Sequence, residues 1–185
     1  MAKIIIKKSN STSMKKIILI VSLGIFTLIS CQKVKDPGAT SAIKVANEWW
    51  VTLDSVGIAD YYGIGHIKIA TYNTSANDNN IWIDDYQSLS QFLPLSFKVK
   101  STVGYSALTF SSVPLANNEY FDPNDPTASP ETVNITEGKI FPKLGHSKSG
   151  NIADSIHVRI EFSNDPGTMY EINGVERTRF PEDDY

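Results

Sequence analysis

The sequence predicts an all-β domain that forms either an eight-stranded antiparallel up-and-down barrel or a two-sheet β-sandwich. Apolar and polar residues alternate with period two, most clearly over residues 156–162, where the apolar side chains share one face. Clusters of Asn, Asp, Gly and Pro, such as residues 77–80 and 164–167, separate these stretches and supply chain reversals. After residue 45 we find no amphipathic stretch long enough to predict a helix.

Eight segments carry this alternating pattern, each rich in β-branched and aromatic residues. Gly174 lies where the apolar phase of the last segment shifts, so we expect a β-bulge there. Because the connections are short, successive strands are expected to pair antiparallel. The predicted strands are residues 49–54, 65–72, 80–84, 95–100, 107–111, 132–141, 156–162 and 168–179.

The two ends of this pattern favour the barrel over the sandwich. Trp49 and Trp50 open the first predicted strand, and Arg177 and Arg179 end the last. In a closed meander these strands are neighbours, so an arginine would lie across a tryptophan ring as a cation-π pair worth about 0.5–2 kcal/mol. The arrangement resembles the Trp and Arg pair that closes one end of lipocalin-like barrels. We therefore predict that Trp49, Arg177 and Arg179 close this barrel.

The N-terminus is predicted to be a lipoprotein leader. Residues 1–30 carry five lysines, no acidic residue and an apolar run that is shorter than the roughly 20 residues of a transmembrane helix. The run ends in Leu28-Ile29-Ser30-Cys31, which resembles the bacterial lipobox, and Cys31 is the single cysteine of the chain. We predict acylation of Cys31, a flexible tether over residues 31–45 and the β-barrel domain over residues 46–185. Met14 is an alternative start to Met1.

This leader predicts an exported protein that acyl chains hold on the cell envelope, with the outer membrane favoured and its periplasmic and surface faces both open. Removing the leader's five lysines from the 17 Lys and Arg leaves 12 against 20 Asp and Glu, a formal net charge of −8. That charge excludes nucleic acid as an expected partner. The sequence indicates no particular protein partner.

Several segments together resemble the lipid-binding putative hydrolase family of Bacteroidetes lipoproteins. The ending Arg177-Thr178-Arg179-Phe180-Pro181-Glu182-Asp183-Asp184-Tyr185 is the most specific of them. The resemblance implies Gly at position 179, where this chain has Arg. It also implies a lipocalin-like fold, an envelope location and a lipid-binding role, whereas the hydrolase in the family's description implies little chemistry. The other matching segments are residues 48–52, 71–74, 81–85 and 154–156.

The aromatic residues supply the candidate ligand site. We expect a small apolar or amphipathic, lipid-like ligand inside the barrel, in contact with inward-facing aromatic residues, namely Trp49 or Trp50, Tyr72 and Trp82. An eight-stranded barrel is only just wide enough for such a cavity. A filled barrel that serves as an accessory or interaction lipoprotein therefore stays open as the alternative.

A lipid hydrolase is the least favoured function, because the sequence predicts no catalytic residue, metal site or cofactor. The nearest approach to a G-x-S-x-G nucleophile elbow is residues 145–149, where Ser149 replaces the last Gly and no helix is expected to follow. We expect a surface loop there, with Ser147 as the best candidate nucleophile if the protein hydrolyses lipid. Asp84 and Asp85 are adjacent on one strand, so they should face opposite sides and cannot act as an acid–base pair.

Overall fold

Nine antiparallel strands run through residues 39–185, the part of the chain that this computed structural model describes. Three short 3₁₀ helices, Ser41–Lys44, Leu89–Gln91 and Pro181–Asp183, accompany them. The predicted signal peptide and Cys31 lie outside the described residues. The strands are β1 Asn47–Ser55, β2 Ile67–Asn73, β3 Asn80–Asp84, β4 Lys98–Gly104, β5 Thr109–Ser111, β6 Ala116–Asn117, β7 Thr132–His146, β8 Ile152–Phe162 and β9 Tyr170–Glu176.

The strands form one sheet that closes on itself. Their order is β5-β4-β3-β2-β1-β9-β8-β7-β6, and β5 also pairs with β7, which joins the two sides of the wall. The first and last long strands are neighbours, with Val51 of β1 opposite Gly174 of β9. The predicted eight-stranded antiparallel barrel is therefore confirmed, and the two-sheet sandwich is wrong because the sheet closes instead of splitting into two layers.

The eighth position of the wall, between β4 and β7, is shared by two short strands. β5 pairs with both neighbours, and β6 pairs with the start of β7. Between them, the Ser112 hydroxyl accepts a hydrogen bond from the Ile135 N–H, and the Ser112 N–H donates to the Ile135 carbonyl. The Glu119 N–H then donates to the Lys98 carbonyl of β4. This interruption explains why eight predicted strands become nine.

The irregularities in strand pairing do not occur at Gly174, where the sequence predicts a β-bulge. Register shifts occur twice in β7, between Ile135 and Glu137 and between Phe141 and Gly145, and β7 continues to His146. At Gly174 the pairing with β1 and β8 is continuous, so the predicted bulge there is wrong. A Cβ on Gly174 would lie 2.1 Å from the Trp50 carbonyl oxygen, so the glycine permits a close approach of two backbones.

Apolar side chains fill the barrel. The alternating residues of β1, β3, β4 and β8 that face inward are at most 5% exposed, and Trp49, Phe97 and Phe162 are the largest fully buried side chains. The Trp49 indole N–H donates to the Thr71 hydroxyl at 2.9 Å, and that hydroxyl donates to the Val45 carbonyl. Both polar groups in this part of the interior are thereby satisfied.

The two ends of the barrel carry different segments. The proximal end holds residues 39–46, where the described chain enters, and the turns that follow β2, β4 and β7. The distal end holds residues 56–66, 85–97, 118–131 and 163–169, which connect β1 to β2, β3 to β4, β6 to β7 and β8 to β9. Within residues 39–185, no helix is long and apolar enough to cross a membrane.

Candidate functional site

Of the aromatic candidates for the barrel interior, Trp49 or Trp50, Tyr72 and Trp82, Trp49 alone points inward. Trp82 lies between the buried Ile81 and Ile83 on β3, and successive side chains of a strand face opposite sides, so Trp82 faces outward. Tyr72 follows the inward-facing Thr71 in the same way, and Trp50 follows Trp49. The prediction that Tyr72 and Trp82 line the interior is therefore wrong, and of the alternatives Trp49 and Trp50 the inward residue is Trp49.

Asp84 organises the outer wall next to Tyr72 and Trp82. The Tyr72 hydroxyl donates to Asp84 Oδ2 at 2.7 Å, and the Tyr120 hydroxyl donates to Asp84 Oδ1 at 2.6 Å. Burial, and then the bond to this carboxylate, raise the pKa of both phenols, so both remain protonated donors. Asp85 faces the other side of the strand, as its adjacent position predicts.

Lysine amines lie over the outward aromatic rings. The Lys98 amine is 5.4 Å from the centre of the Trp82 ring and 5.7 Å from that of Tyr72, and the Lys100 amine is 4.9 Å from the Trp82 ring. The Lys68 amine lies 5.1 Å from the centre of the Tyr86 ring. The outer wall over β2, β3 and β4 is thus an aromatic surface edged by cations, a combination suited to a ligand with apolar and anionic parts.

A groove of about 400 Å³, which we call the β1–β2 groove, lies on this wall. Tyr72 and Tyr86 provide its aromatic surface, Ala46 and Ala70 provide small apolar contacts, and Arg179 lies at its side. The groove is lined by Ala46, Asn47, Glu48, Ala70, Thr71, Tyr72, Tyr86 and Arg179. A second depression, of about 230 Å³, lies beside Trp82 and Lys100. A third depression, of about 430 Å³, lies between β4, β5 and β7, and all three depressions are open to the surface.

The charges of the β1–β2 groove are fixed by ion pairs. The Glu48 carboxylate lies 2.9 Å from an Arg177 guanidinium nitrogen and 3.5 Å from the Lys68 amine. The hydrogen bond from Arg177 is the main cause that lowers the pKa of Glu48, so this carboxyl is ionised at neutral pH. Lys68 and Arg177 pair with Glu48, and Arg177 also pairs with Asp184, so two carboxylates match these two cations. The positive charge of Arg179 at the side of the groove is added to this balance, and the groove therefore favours an anionic group over a cationic one.

Arg177 holds the C-terminal segment against the first strand. Its guanidinium makes two 2.7 Å hydrogen bonds to the two Asp184 oxygens and lies 5.8 Å from the centre of the Trp50 ring. The Trp50 indole N–H also donates to Asp184, at 3.2 Å. The predicted Trp and Arg pair thus exists, but with Trp50 as its ring. The placement of Trp49 in that pair is wrong because Trp49 faces inward.

Arg179 is exposed and takes no part in that closure; its backbone has a φ of +67°. In this left-handed region a Cβ is unfavourable and glycine is favoured, which accounts physically for the Gly that the family resemblance implies. Tyr86, on the other side of the groove, has a φ of +51°. Two strained residues thus line one groove, a pattern that is common at ligand-binding sites.

We expect Arg179→Gly to raise the free energy of unfolding by about 0.5–1 kcal/mol, because relief of the left-handed strain exceeds the added freedom of the unfolded chain. Arg179→Ala removes the same side chain but keeps the strain, so it should give no gain. Urea unfolding followed by tryptophan fluorescence measures both. A less stable Arg179→Gly protein would contradict this interpretation.

Ser147 lies in the turn between β7 and β8, not in a strand-to-helix elbow. Its hydroxyl is 3.1 Å from the Ser149 hydroxyl, and the Asn151 N–H donates to it. The side chain is buried, because the C-terminal segment covers the turn, with the Ser149 N–H donating to Asp183 at 2.7 Å. Residues 39–185 contain no group of three His, Cys, Asp or Glu residues arranged to hold a metal ion.

Sequence reasoning missed Tyr86, Tyr120 and the groove role of Arg179. Tyr86 follows Asp84 and Asp85 in a turn, and Tyr120 lies in a segment with no strand pattern, so periodicity gave no signal for either. Only Arg179 had a signal in the sequence. The family resemblance implies Gly at that position, and glycine is favoured where φ is positive.

Two comparisons with known proteins bear on identity. No curated protein matches the chain. The sequence profile of a family described as lipid-binding putative hydrolase matches residues 34–181, which includes every strand of the barrel. The chain therefore belongs to the lipid-binding putative hydrolase family.

Proposed function

We propose that this protein binds an amphipathic, lipid-like ligand in the β1–β2 groove and is held on the cell envelope by acyl chains on Cys31. Membership of a lipid-binding family and a closed β-barrel both fit a lipid-binding protein. The lipobox-like sequence before Cys31 supports the anchor and the export that it requires. The outer membrane remains the favoured location.

The observation that carries the ligand proposal is the chemistry of the groove. Two tyrosine rings and two alanines offer apolar contact, while Arg179 offers positive charge at the edge. Its volume of about 400 Å³ falls within the range of roughly 300–1,000 Å³ that is typical of small-molecule sites. A ligand with an apolar body and an anionic group matches both features.

The outer wall is a better site than the interior because the interior is already occupied. Trp49, Phe97 and Phe162 fill the space that a ligand would need, and each is at most 1% exposed. Emptying that space would remove packing contacts worth several kcal/mol. A groove that is open to solvent leaves part of the ligand exposed, which suits reversible exchange and not permanent storage.

Binding of a fluorescent long-chain fatty acid to the purified full-length chain tests this proposal. We expect Tyr86→Ala to weaken binding by about tenfold, because it removes one aromatic wall of the groove. Tyr61→Ala is the matched control, since Tyr61 is also largely exposed but does not line the groove. Equal affinities of the two variants and the unaltered protein would exclude the groove, and no binding by any of them would exclude this ligand class.

The filled interior also favours a second candidate, an accessory lipoprotein that contacts another envelope component through its loops. Crosslinking in intact cells separates the two functions. A specific crosslinked protein that survives Tyr86→Ala, together with absent fatty acid binding, would support the accessory role. For the hydrolase alternative, esterase activity that is unchanged by Ser147→Ala would remove the best candidate nucleophile.

A further inference from the structure

The proximal end of the barrel carries exposed apolar side chains close to where the described chain begins. Leu144 is 71% exposed, Ile152 is 68% exposed and Ile43 is 62% exposed. Leu144 and Ile152 belong to the hairpin of β7 and β8, where His146 is paired with Ile152. These three residues, the apolar rim, have no structural need to be apolar, because none of them packs in the core.

The shape of the hairpin places Leu144 and Ile152 on one face. Gly145 and Ala153 are paired and buried, so their neighbours Leu144 and Ile152 both project to the opposite side. The register shift before Gly145 turns Leu144 to that side, and the Lys143 N–H fixes it by donating to Asp154 at 2.8 Å. A bulge that re-aims a large apolar side chain into solvent points to a contact outside the chain.

The chain enters at this same end. The Ser41 hydroxyl donates to the Asp78 carbonyl at 3.1 Å and is 3.1 Å from the Tyr105 hydroxyl, which fixes the entry point against the turns after β2 and β4. Cys31 is eight residues before Ala39 in the sequence. Eight fully extended residues reach at most about 28 Å.

The length of the segment between Cys31 and Ala39 limits which end of the barrel can contact a bilayer that holds Cys31. The 11 residues of β8 span roughly 36 Å along the strand, or about 28 Å of wall height at the usual tilt of barrel strands. Val56, Ile58 and Phe92 are also exposed, but they lie at the distal end. They would meet the bilayer only with the tether stretched straight along the whole wall, whereas the apolar rim meets it with slack.

We propose that the apolar rim rests in the headgroup region of the bilayer that holds the acylated Cys31. This inference depends on the anchor in the proposed function but not on the groove. Lys143 is exposed, precedes Leu144 and suits the polar side of such a contact, whereas the Lys148 amine donates to the Asp184 carbonyl. Asp78 and Asp154 lie at the same end, so the contact is apolar and needs no anionic lipid.

Single cysteines at matched positions test the contact. Leu144→Cys and Leu115→Cys replace side chains that are equally exposed, at 71%, but Leu115 precedes β6 on the wall near the distal end. The full-length chain, taken from its membrane and reconstituted in phosphatidylethanolamine–phosphatidylcholine vesicles, is labelled with an environment-sensitive maleimide. We expect the label at position 144 to emit at shorter wavelength and to be quenched at least about twofold more by a headgroup nitroxide lipid than the label at position 115.

Mass spectrometry of the same samples separates this proposal from the anchor. If Cys31 is acylated and the two labels are quenched equally, the rim contact is wrong. If the label at position 144 emits at the shorter wavelength without vesicles, a protein and not a bilayer covers the rim, and the proposal is also wrong.

If Cys31 is unmodified, the proposed anchor is wrong, and the rim is then tested by adding vesicles to the soluble chain. Leu144→Ser with Ile152→Ser should lower vesicle partition about tenfold relative to Val113→Ser with Leu115→Ser, and equal partition overturns the contact.

Discussion

Gly174→Ala should destabilise the barrel by about 3 kcal/mol or more, because the new methyl group meets backbone that cannot move aside. An added Cβ would lie 2.1 Å from the Trp50 carbonyl oxygen and 2.7 Å from the Val51 Cα. Both atoms belong to β1, directly across the β1–β9 pairing, which we call the seam because it joins the first strand to the last. Relief of the clash requires β1 and β9 to separate, and that separation breaks the ladder that joins the first strand to the last.

Guanidinium unfolding followed by circular dichroism measures this loss, and Gly104→Ala is the control. Gly104 is also a strand residue, but an added Cβ there meets the Thr109 hydroxyl oxygen at 3.3 Å and no backbone atom closer than 3.8 Å. The threonine can adjust, so we expect a change within about 1 kcal/mol. Similar losses for both variants would show that the close approach at the seam carries no special weight. An open seam also exposes two strand edges, so Gly174→Ala should aggregate on heating.

The sequence was sufficient for the long strands because a closed barrel imposes a simple pattern. The side of β8 that faces the barrel interior is apolar and its outer side is polar, so residues 156–162 alternate without interruption. β6 is two residues long, and no periodicity exists over two residues. The shifts in β7 were also invisible, since an extra residue breaks the pattern in the way that an ordinary polar residue does.

The orientation of the aromatic residues was wrong for a different reason. The prediction assumed that large rings belong inside, whereas the flanking residues already fixed the phase: Ile81 and Ile83 bracket Trp82 on β3. Most of the buried apolar side chains are branched aliphatic ones, which pack around Trp49, Phe97 and Phe162. On the outer wall, Trp82 gains apolar contact and cation-π contact with Lys98 and Lys100 at the same time.

The groove could not be predicted from sequence because its lining comes from four separate parts of the chain. Residues 46–48 and 70–72 form its floor on neighbouring strands, while Tyr86 and Arg179 come from a turn and from the C-terminal segment. Only the pairing of β1 with both β2 and β9 brings these parts together. Closure of the barrel and formation of the candidate site are therefore one event, and a variant that opens the seam should lose both.

The turn that presents Tyr86 depends on Asp85, and we expect Asp85→Ala to lower the free energy of unfolding by roughly 3–6 kcal/mol. Asp85 is fully buried. Its Oδ1 accepts from the Phe97 N–H at 3.0 Å and the Gln87 N–H at 3.1 Å, and its Oδ2 accepts from the Leu89 N–H at 2.9 Å. Alanine leaves three N–H groups without this acceptor, each at about 1–3 kcal/mol. A loss below about 1 kcal/mol in urea unfolding would show that water replaces the carboxylate.

Asp85→Asn separates the acceptor role from the charge. Asparagine keeps one oxygen for two of the three N–H groups and presents its own N–H₂ to the third, so we expect a loss that lies between that of alanine and the unaltered protein. Both variants should also weaken fatty acid binding, because Tyr86 and Gln87 hold positive φ angles only while Asp85 fixes the turn. Retained affinity in a folded Asp85→Asn protein would show that Tyr86 is positioned by other contacts.

The difference in the free energy of unfolding between the unaltered protein and Asp85→Asn should change with pH in a defined direction. Burial is the main cause that raises the pKa of the Asp85 carboxyl above its ordinary value, and the three donated N–H groups only partly oppose it. The folded state therefore holds this proton more tightly than the unfolded chain, whose Asp pKa is about 3.9. As the pH rises from about 4 through the folded-state pKa, the unaltered protein should lose stability relative to Asp85→Asn. Other carboxylates, such as Glu48 with its lowered pKa, contribute equally to both proteins and cancel in the difference. A difference that grows with pH would mean that the hydrogen bonds outweigh burial at this carboxyl.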